Sequence, residues 1–121
     1  MTTRTIEDLA TETMRMLGLL EAQEEASTED AAHISRAYED KFTEWFLREI
    51  AYWPVEAIPT EVFRAVARLM ADEVAASFGA KAPTEMDENG QTISMGVKGM
   101  RTLNRVNTRR RSGLPTAATF F

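Results

Sequence analysis

The stretch TEDAAHISRAYEDKFTEWFLREIA, residues 28–51, decides the fold. Ala31, Ile34, Tyr38, Phe42, Trp45, Phe46, Glu49 and Ile50 recur at intervals of three and four, the spacing of one helix face. Arg36, Glu39, Asp40, Glu44 and Arg48 occupy the opposite face. Ser27 offers an oxygen to cap the helix, and Asp30 three residues on makes this close to a capping box. Pro54 stops the run, because the residue before a proline avoids the helical region. The spacing predicts a helix of about 24 residues, roughly 36 Å long at ~1.5 Å per residue.

Working outward, Thr5 caps a shorter helix whose apolar face is Ile6, Leu9, Ala10, Thr13, Met14 and Leu17. Gly18 is suited to end it in a left-handed conformation, with Leu19 and Leu20 following as an apolar lid. On the other side, Trp53 to Pro59 is a rigid apolar corner, and Pro59 suits the start of a third helix. That helix carries Phe63, Val66, Ala67, Met70, Val74 and Phe78, with Ala65, Ala71, Ala75 and Ala76 allowing close approach and Gly79 as its cap. Thr84, followed by Asp87, reads as the cap of a fourth helix along Met86, Ile93, Val97, Met100 and Leu103 or Asn104. Gly90, Gly96 and Gly99 weaken it by up to about 1 kcal/mol each relative to alanine. After Val106 the pattern stops, and Ser112-Gly113-Leu114-Pro115 marks irregular chain. The expectation is an all-α fold: a four-helix body over residues 1–106 and an extended C-terminal arm over 107–121.

Composition narrows the function. The chain has 121 residues, one domain's worth, which is too few for both a core and a roomy buried active site. It has no cysteine, which removes disulfides, thiolate metal sites and cysteine nucleophiles, and its one histidine makes multi-histidine sites improbable. No apolar run reaches the roughly 18 residues of a membrane span, and Met1 to Arg4 leads straight into acidic residues without a signal-peptide core. A soluble protein made inside the cell is expected.

The charge is divided along the chain. Residues 1–90 hold 8 Lys/Arg against 19 Asp/Glu, a net −11, whereas residues 91–121 hold 6 Lys/Arg against no acid, a net +6. Such a split suggests that the two ends meet different surroundings, the basic end of one copy against the acidic body of another being one case. Lys98, Arg101, Arg105 and Arg109 make a stripe that Arg110 and Arg111 extend. It reads in three ways: contact with nucleic-acid phosphate, pairing with an acidic protein surface, or a solvated helix end. No aromatic residue is interleaved, which weakens single-strand stacking. The segment from Leu114 and Pro115 to Phe120 and Phe121 is uncharged and ends on two aromatic rings, as suits an arm that joins a sheet edge or fills a pocket.

Other constellations have plain structural readings. Glu24, Glu25, Glu29, Asp30, Asp87 and Glu88 sit at helix starts or on wet faces, where acids favour the helix dipole, and no spacing nominates an acid–base hydrolase pair. His33 lies beside the apolar stripe without a second histidine. Gly96-Val97-Lys98-Gly99 lacks phosphate-loop spacing and suits close helix contact. Tyr38, Phe42, Trp45, Phe46, Tyr52 and Trp53 are core by spacing, with one edge available for an interface.

One layout unites these features: a short helix ending in Leu17-Gly18, the acidic lead-in Ser27-Thr28-Glu29-Asp30 to a long helix, and the Ile58-Pro59 start of a third that closes at Phe78-Gly79. A late helix rich in small residues and the tail Arg109-Arg110-Arg111-Ser112-Gly113-Leu114-Pro115 with its aromatic end complete it. The chain resembles the small head-to-tail adaptor (head-completion, packaged-DNA-stabilisation) proteins of tailed bacteriophages and related gene-transfer particles. The resemblance implies a virion protein without enzymatic activity or cofactor. It implies a ring, commonly of twelve copies, assembled under the portal protein after packaging. Such a ring extends the DNA channel, helps to retain the packaged DNA, and offers a platform to a tail or stopper protein. Arg109 to Phe121 would be the docking element, with Arg109, Arg110 and Arg111 orienting it and Leu114, Pro115, Phe120 and Phe121 anchoring it. Lys98, Arg101 and Arg105 would face a neighbouring copy or the DNA. The protein would be made in the host cytoplasm and end at the head–tail junction, with no membrane partner. The alternative is a small nucleic-acid-binding regulator that uses the arginine stripe.

Overall fold

The structure is a computed structural model; it describes residues 2–113, with residues 111–113 described by their helical backbone alone. In chain order, strand β1 (Thr3–Arg4) is followed by helices α1 (Ile6–Met16) and α2 (Thr28–Leu47), strand β2 (Ile58–Pro59) and helix α3 (Thr60–Val74). A 3₁₀ turn over Ala76–Phe78 leads to strands β3 (Thr84–Met86) and β4 (Thr92–Ser94), and the last helix is α4 (Met95–Gly113). The body is therefore mainly helical but not purely α. Of two short antiparallel ladders, β1–β2 ties residues 3–4 to the start of α3 and β3–β4 forms the hairpin before α4.

The helix starts obey local chemistry. Thr5 closes a full capping box, its hydroxyl accepting from Asp8 N at 3.1 Å while Asp8 accepts from Thr5 N at 3.2 Å. Ser27 caps α2 through Asp30 N at 3.2 Å. Gly18 adopts φ +74, and Leu19 N donates to Met14 O at 3.0 Å, so the glycine lets the chain fold back over the end of α1.

α3 is the central element, with α1, α2 and α4 all packed on it. Phe63, Val66, Ala67, Met70 and Val74 are buried, as their spacing predicts, and Val62, Ala65, Ala71 and Ala75 are buried too. Around them the core collects Leu9, Ile34, Tyr38, Trp45, Trp53, Ile58 and Leu103. Tyr38 is shut inside and accepts a hydrogen bond from Trp53 Nε1 at 3.0 Å; burial pushes its hydroxyl up to about 12 despite that bond, so the phenol stays neutral.

Four expectations need correction. First, α2 ends at Leu47 rather than Ala51. Glu49 takes φ +60, and the N–H groups of Ile50 and Ala51 both donate to Trp45 O, at 2.8 and 3.2 Å. After that reversal Ile50 and Ala51 are both buried in the core. Second, Phe46 is not a core residue but 61 % exposed, beside Leu47 at 76 %. Third, Thr84 does not cap a helix. Residues 84–94 form a hairpin whose turn is built on Asp87: its Oδ1 accepts from Asn89 N and Gln91 N, both at 2.9 Å, and Gly90 takes φ +78. Fourth, the helix does not stop at Val106. The expected boundary between residues 106 and 107 falls inside α4, which runs on to Gly113. Leu114, Pro115, Phe120 and Phe121, and the side chain of Arg111, lie outside the described residues.

Candidate functional site

α4 carries the basic residues, and its seat on α3 depends on bare backbone. A Cβ at Gly99 would stand 2.6 Å from Ala65 O, and one at Gly96 would run into the Asp72 carboxylate. The glycines that weaken this helix by propensity are therefore the ones that let it press onto α3, as the small-residue reading expects. Leu103 and Val106 then reach the core, which fixes the helix's rotation.

That rotation divides the stripe. Lys98 donates from Nζ to Glu85 Oε2 at 3.0 Å and to Met86 O at 3.2 Å, while Arg68 on α3 donates from Nε to Glu85 Oε1 at 2.8 Å. Glu85 is thus clamped between two helices. Partial burial raises its pKa, but the hydrogen bonds from Arg68 and Lys98 outweigh it and hold the carboxyl below its ordinary value. Arg101 pairs with Asp87 at 3.6 Å. Asp87, whose side chain is only 5 % exposed, is also held low, chiefly by the backbone N–H of Gln91 and then by Asn89 and Arg101. Lys98 and Arg101 hence serve the hairpin. Arg105 and Arg109 are exposed, and neither makes an ion pair among the described residues.

Arg110 has a different seat. Its guanidinium carbon lies 3.7 Å from the centre of the Tyr52 ring, and the Tyr52 hydroxyl donates to Glu61 on α3. Partial burial and that bond raise the Tyr52 pKa, so the ring stays neutral beneath the cation. One turn earlier, Asn107 Nδ2 donates to Glu49 O at 3.2 Å. These contacts extend α4 past its last apolar residue. Beside them a groove of about 240 Å³ opens between Thr3, Tyr52, Trp53, Pro54, Ala57, Pro59 and Arg110. Its aromatic wall continues from Tyr52 to Trp53 (5.1 Å between ring centres), to Phe42 (6.1 Å) and to the exposed Phe46 (6.2 Å). The aromatic edge read from the sequence as available for an interface lies here, joined to the C-terminal end of α4. Glu61 and Glu85, which orient the basic residues, have no signal in the sequence beyond being acids on helical or loop positions.

The acids gather elsewhere. A cleft of about 270 Å³ between α1 and the start of α2 is lined by Glu7, Asp8, Thr11, Glu25, Ala26, Thr28 and Ala31 and shares no residue with the aromatic groove. His33 has a structural place: its Nε2 lies 2.8 Å from Ser77 Oγ, which donates to Val74 O, and its ring meets Phe78 edge to face at 5.3 Å. Among the described residues no group of three or more His, Cys, Asp or Glu is arranged to hold a metal ion, and no helix is long and apolar enough to cross a membrane. Comparison with protein-family models, curated proteins and solved structures finds no match to the chain.

Proposed function

We propose that the protein is a structural adaptor of the head-to-tail junction of a tailed phage or gene-transfer particle. Copies of it form a ring under the portal protein, extend the DNA channel, help to retain packaged DNA, and give a tail or stopper protein its platform. It acts as a connector and not as an enzyme, and its place is the virion after synthesis in the host cytoplasm. The observation that carries this reading is the end of α4. Arg105 and Arg109 stand free of ion pairs among the described residues, on the same helix as Arg110, which with Tyr52 and Trp53 walls a groove of the residue types that dominate binding energy at interfaces. The acidic cleft of α1 and α2 is a separate, complementary face, and two different faces on one body are what a head-to-tail ring needs. The layout resemblance supplies the particle and the partner.

Native mass measurement of the full chain mixed with a portal protein tests this. A ring on the portal is expected, and a chain ending at Gly113, which keeps all of α4, should stay folded and fail to bind. Failure of the full chain to bind, or normal binding by the shortened one, overturns the docking role of the arm.

A second reading, a nucleic-acid-binding regulator, draws on the same free Arg105 and Arg109. It requires DNA affinity that falls steeply with salt. The net −11 of residues 1–90 opposes it, because most of the body repels phosphate.

A further inference from the structure

The groove beside Arg110 has walls that match a segment of the same chain. We infer that residues 114–121 fold back in the free protein and cover the aromatic groove formed by Tyr52, Trp53, Pro54, Ala57 and Pro59. This does not depend on the adaptor reading, since it concerns the chain before any partner binds.

Three observations argue for this occupant. The first is position. Arg110 is both a wall of the groove and a residue of the last turn of α4, seated on Tyr52. Gly113 ends the helix about 4.5 Å further along its axis, at ~1.5 Å per residue. Residues 114–121 are thus joined to the chain within three residues of the groove's wall at Arg110, and at ~3.3 Å per residue a segment of that length can reach about 26 Å. The second is chemistry. LPTAATFF has no charged side chain, one proline and two phenylalanines. Grooves walled by aromatic rings take extended, proline-bearing segments. Ring contacts lead from Trp53 through Phe42 to Phe46, and Phe46 and its chain neighbour Leu47 are 61 % and 76 % exposed, leaving apolar surface for the distal rings. The third is tethering. A segment joined to the groove's own wall meets it at an effective concentration in the millimolar range, so modest contacts suffice, whereas a second copy at micromolar concentration must bind far more tightly.

The consequence is a capped docking surface. Any partner that takes the arm must draw it out of its own groove, and the same event exposes the Tyr52–Trp53 wall.

The absence of cysteine makes the test clean, because Thr119→Cys introduces the sole thiol. A nitroxide is attached there on the full chain, and paramagnetic broadening is read on the amides of Tyr52 and Ala57 and the indole of Trp53. Strong broadening, unchanged on tenfold dilution and abolished by Ala57→Glu with helicity retained, is expected. Weak or no broadening at these sites overturns the inference. Broadening that disappears on dilution, or that passes from spin-labelled chains to separate isotope-labelled ones, also overturns it, assigning the groove to a second copy.

Discussion

Arg110 stacks on Tyr52, 3.7 Å from guanidinium carbon to ring centre, and thereby ties the last turn of α4 to the corner that follows α2. The cation is exposed, so the contact is worth about 0.5–1 kcal/mol. Arg110→Ala should lower the urea midpoint slightly without changing its slope. The sharper readout is hydrogen exchange. Amides of residues 107–110 should lose protection while those around Leu103, packed in the core, keep theirs. Uniform loss along α4 would mean that the stack supports the whole helix rather than its end.

Gly99 and Gly96 should respond differently to alanine, although both stand on the same face of α4. At Gly99 the new methyl meets a backbone oxygen, Ala65 O at 2.6 Å, which only a shift of α4 relieves. Overpacking of this kind costs about 1–3 kcal/mol, and the gain of up to about 1 kcal/mol in helix propensity does not offset it. At Gly96 the obstacle is the Asp72 carboxylate, the end of a side chain that can turn away. Denaturant unfolding should show Gly99→Ala clearly destabilised and Gly96→Ala within about 0.5 kcal/mol of the parent.

These glycines also show where the sequence was legible. The stripes of α1 and α3 and the caps at Thr5 and Ser27 were readable because each depends on neighbours within one turn, whereas Gly79, expected to cap α3, instead closes the 3₁₀ turn that follows the end of α3 at Val74. The stop of α2 was not, because it is set by Ile50 and Ala51 turning into a core that the local pattern does not contain. The hairpin was misread because Met86 and Ile93 lie seven apart, a helical interval, yet Met86 is 62 % exposed and belongs to a strand. The Asn89-Gly90 pair between short runs was the available signal, a common hairpin turn dipeptide. Of the site, the basic stripe and the aromatic edge could be seen separately. Their meeting at Arg110 and Tyr52 depends on how Gly96, Gly99, Leu103 and Val106 together seat α4 on the body.

Acid should loosen the hairpin before the helical core. Glu85 and Asp87 both have folded pKa values below their ordinary 4.5 and 3.8. A depressed carboxyl stabilises the fold in full above its unfolded pKa, and that contribution is lost as pH falls from there through the folded value. Stability should therefore be level above about pH 5 and decline below it. Glu85→Gln, which keeps the shape but removes the charge held by Arg68 and Lys98, should lower stability near neutrality and flatten part of the acid decline. Urea midpoints measured across that range check both. An acid limb equally steep in the variant would place the protons elsewhere.

Thr13 is a place where the fold can be improved. Its side chain is fully buried on α1, and its hydroxyl oxygen has no hydrogen-bond partner among the described residues. Leaving such a group unpaired costs about 1–3 kcal/mol, whereas valine fills the same shape without a polar atom. Thr13→Val should raise the thermal midpoint, and a fall would show that the hydroxyl is satisfied by water inside the core.

Arg105 and Arg109 provide the charge test of the proposed docking. Both are exposed and free of ion pairs among the described residues, so reversing them leaves the packing of α4 on α3 intact. Rim charges act mainly on the rate of encounter and its salt dependence, while apolar anchors act on the rate of escape. Arg105→Glu combined with Arg109→Glu should slow association with the protein partner roughly tenfold at low salt, with dissociation little changed. Circular dichroism should be that of the parent. Surface-immobilised portal protein, with the two rates followed from low to high salt, gives the measurement. Faster escape with unchanged encounter would place these arginines inside the contact rather than at its rim. Replacing the portal protein by duplex DNA separates the second reading. If the arginines serve nucleic acid, the parent's affinity should fall with salt by about 0.9 log units per log unit for each phosphate contact, and the doubly reversed chain should lose about two such contacts.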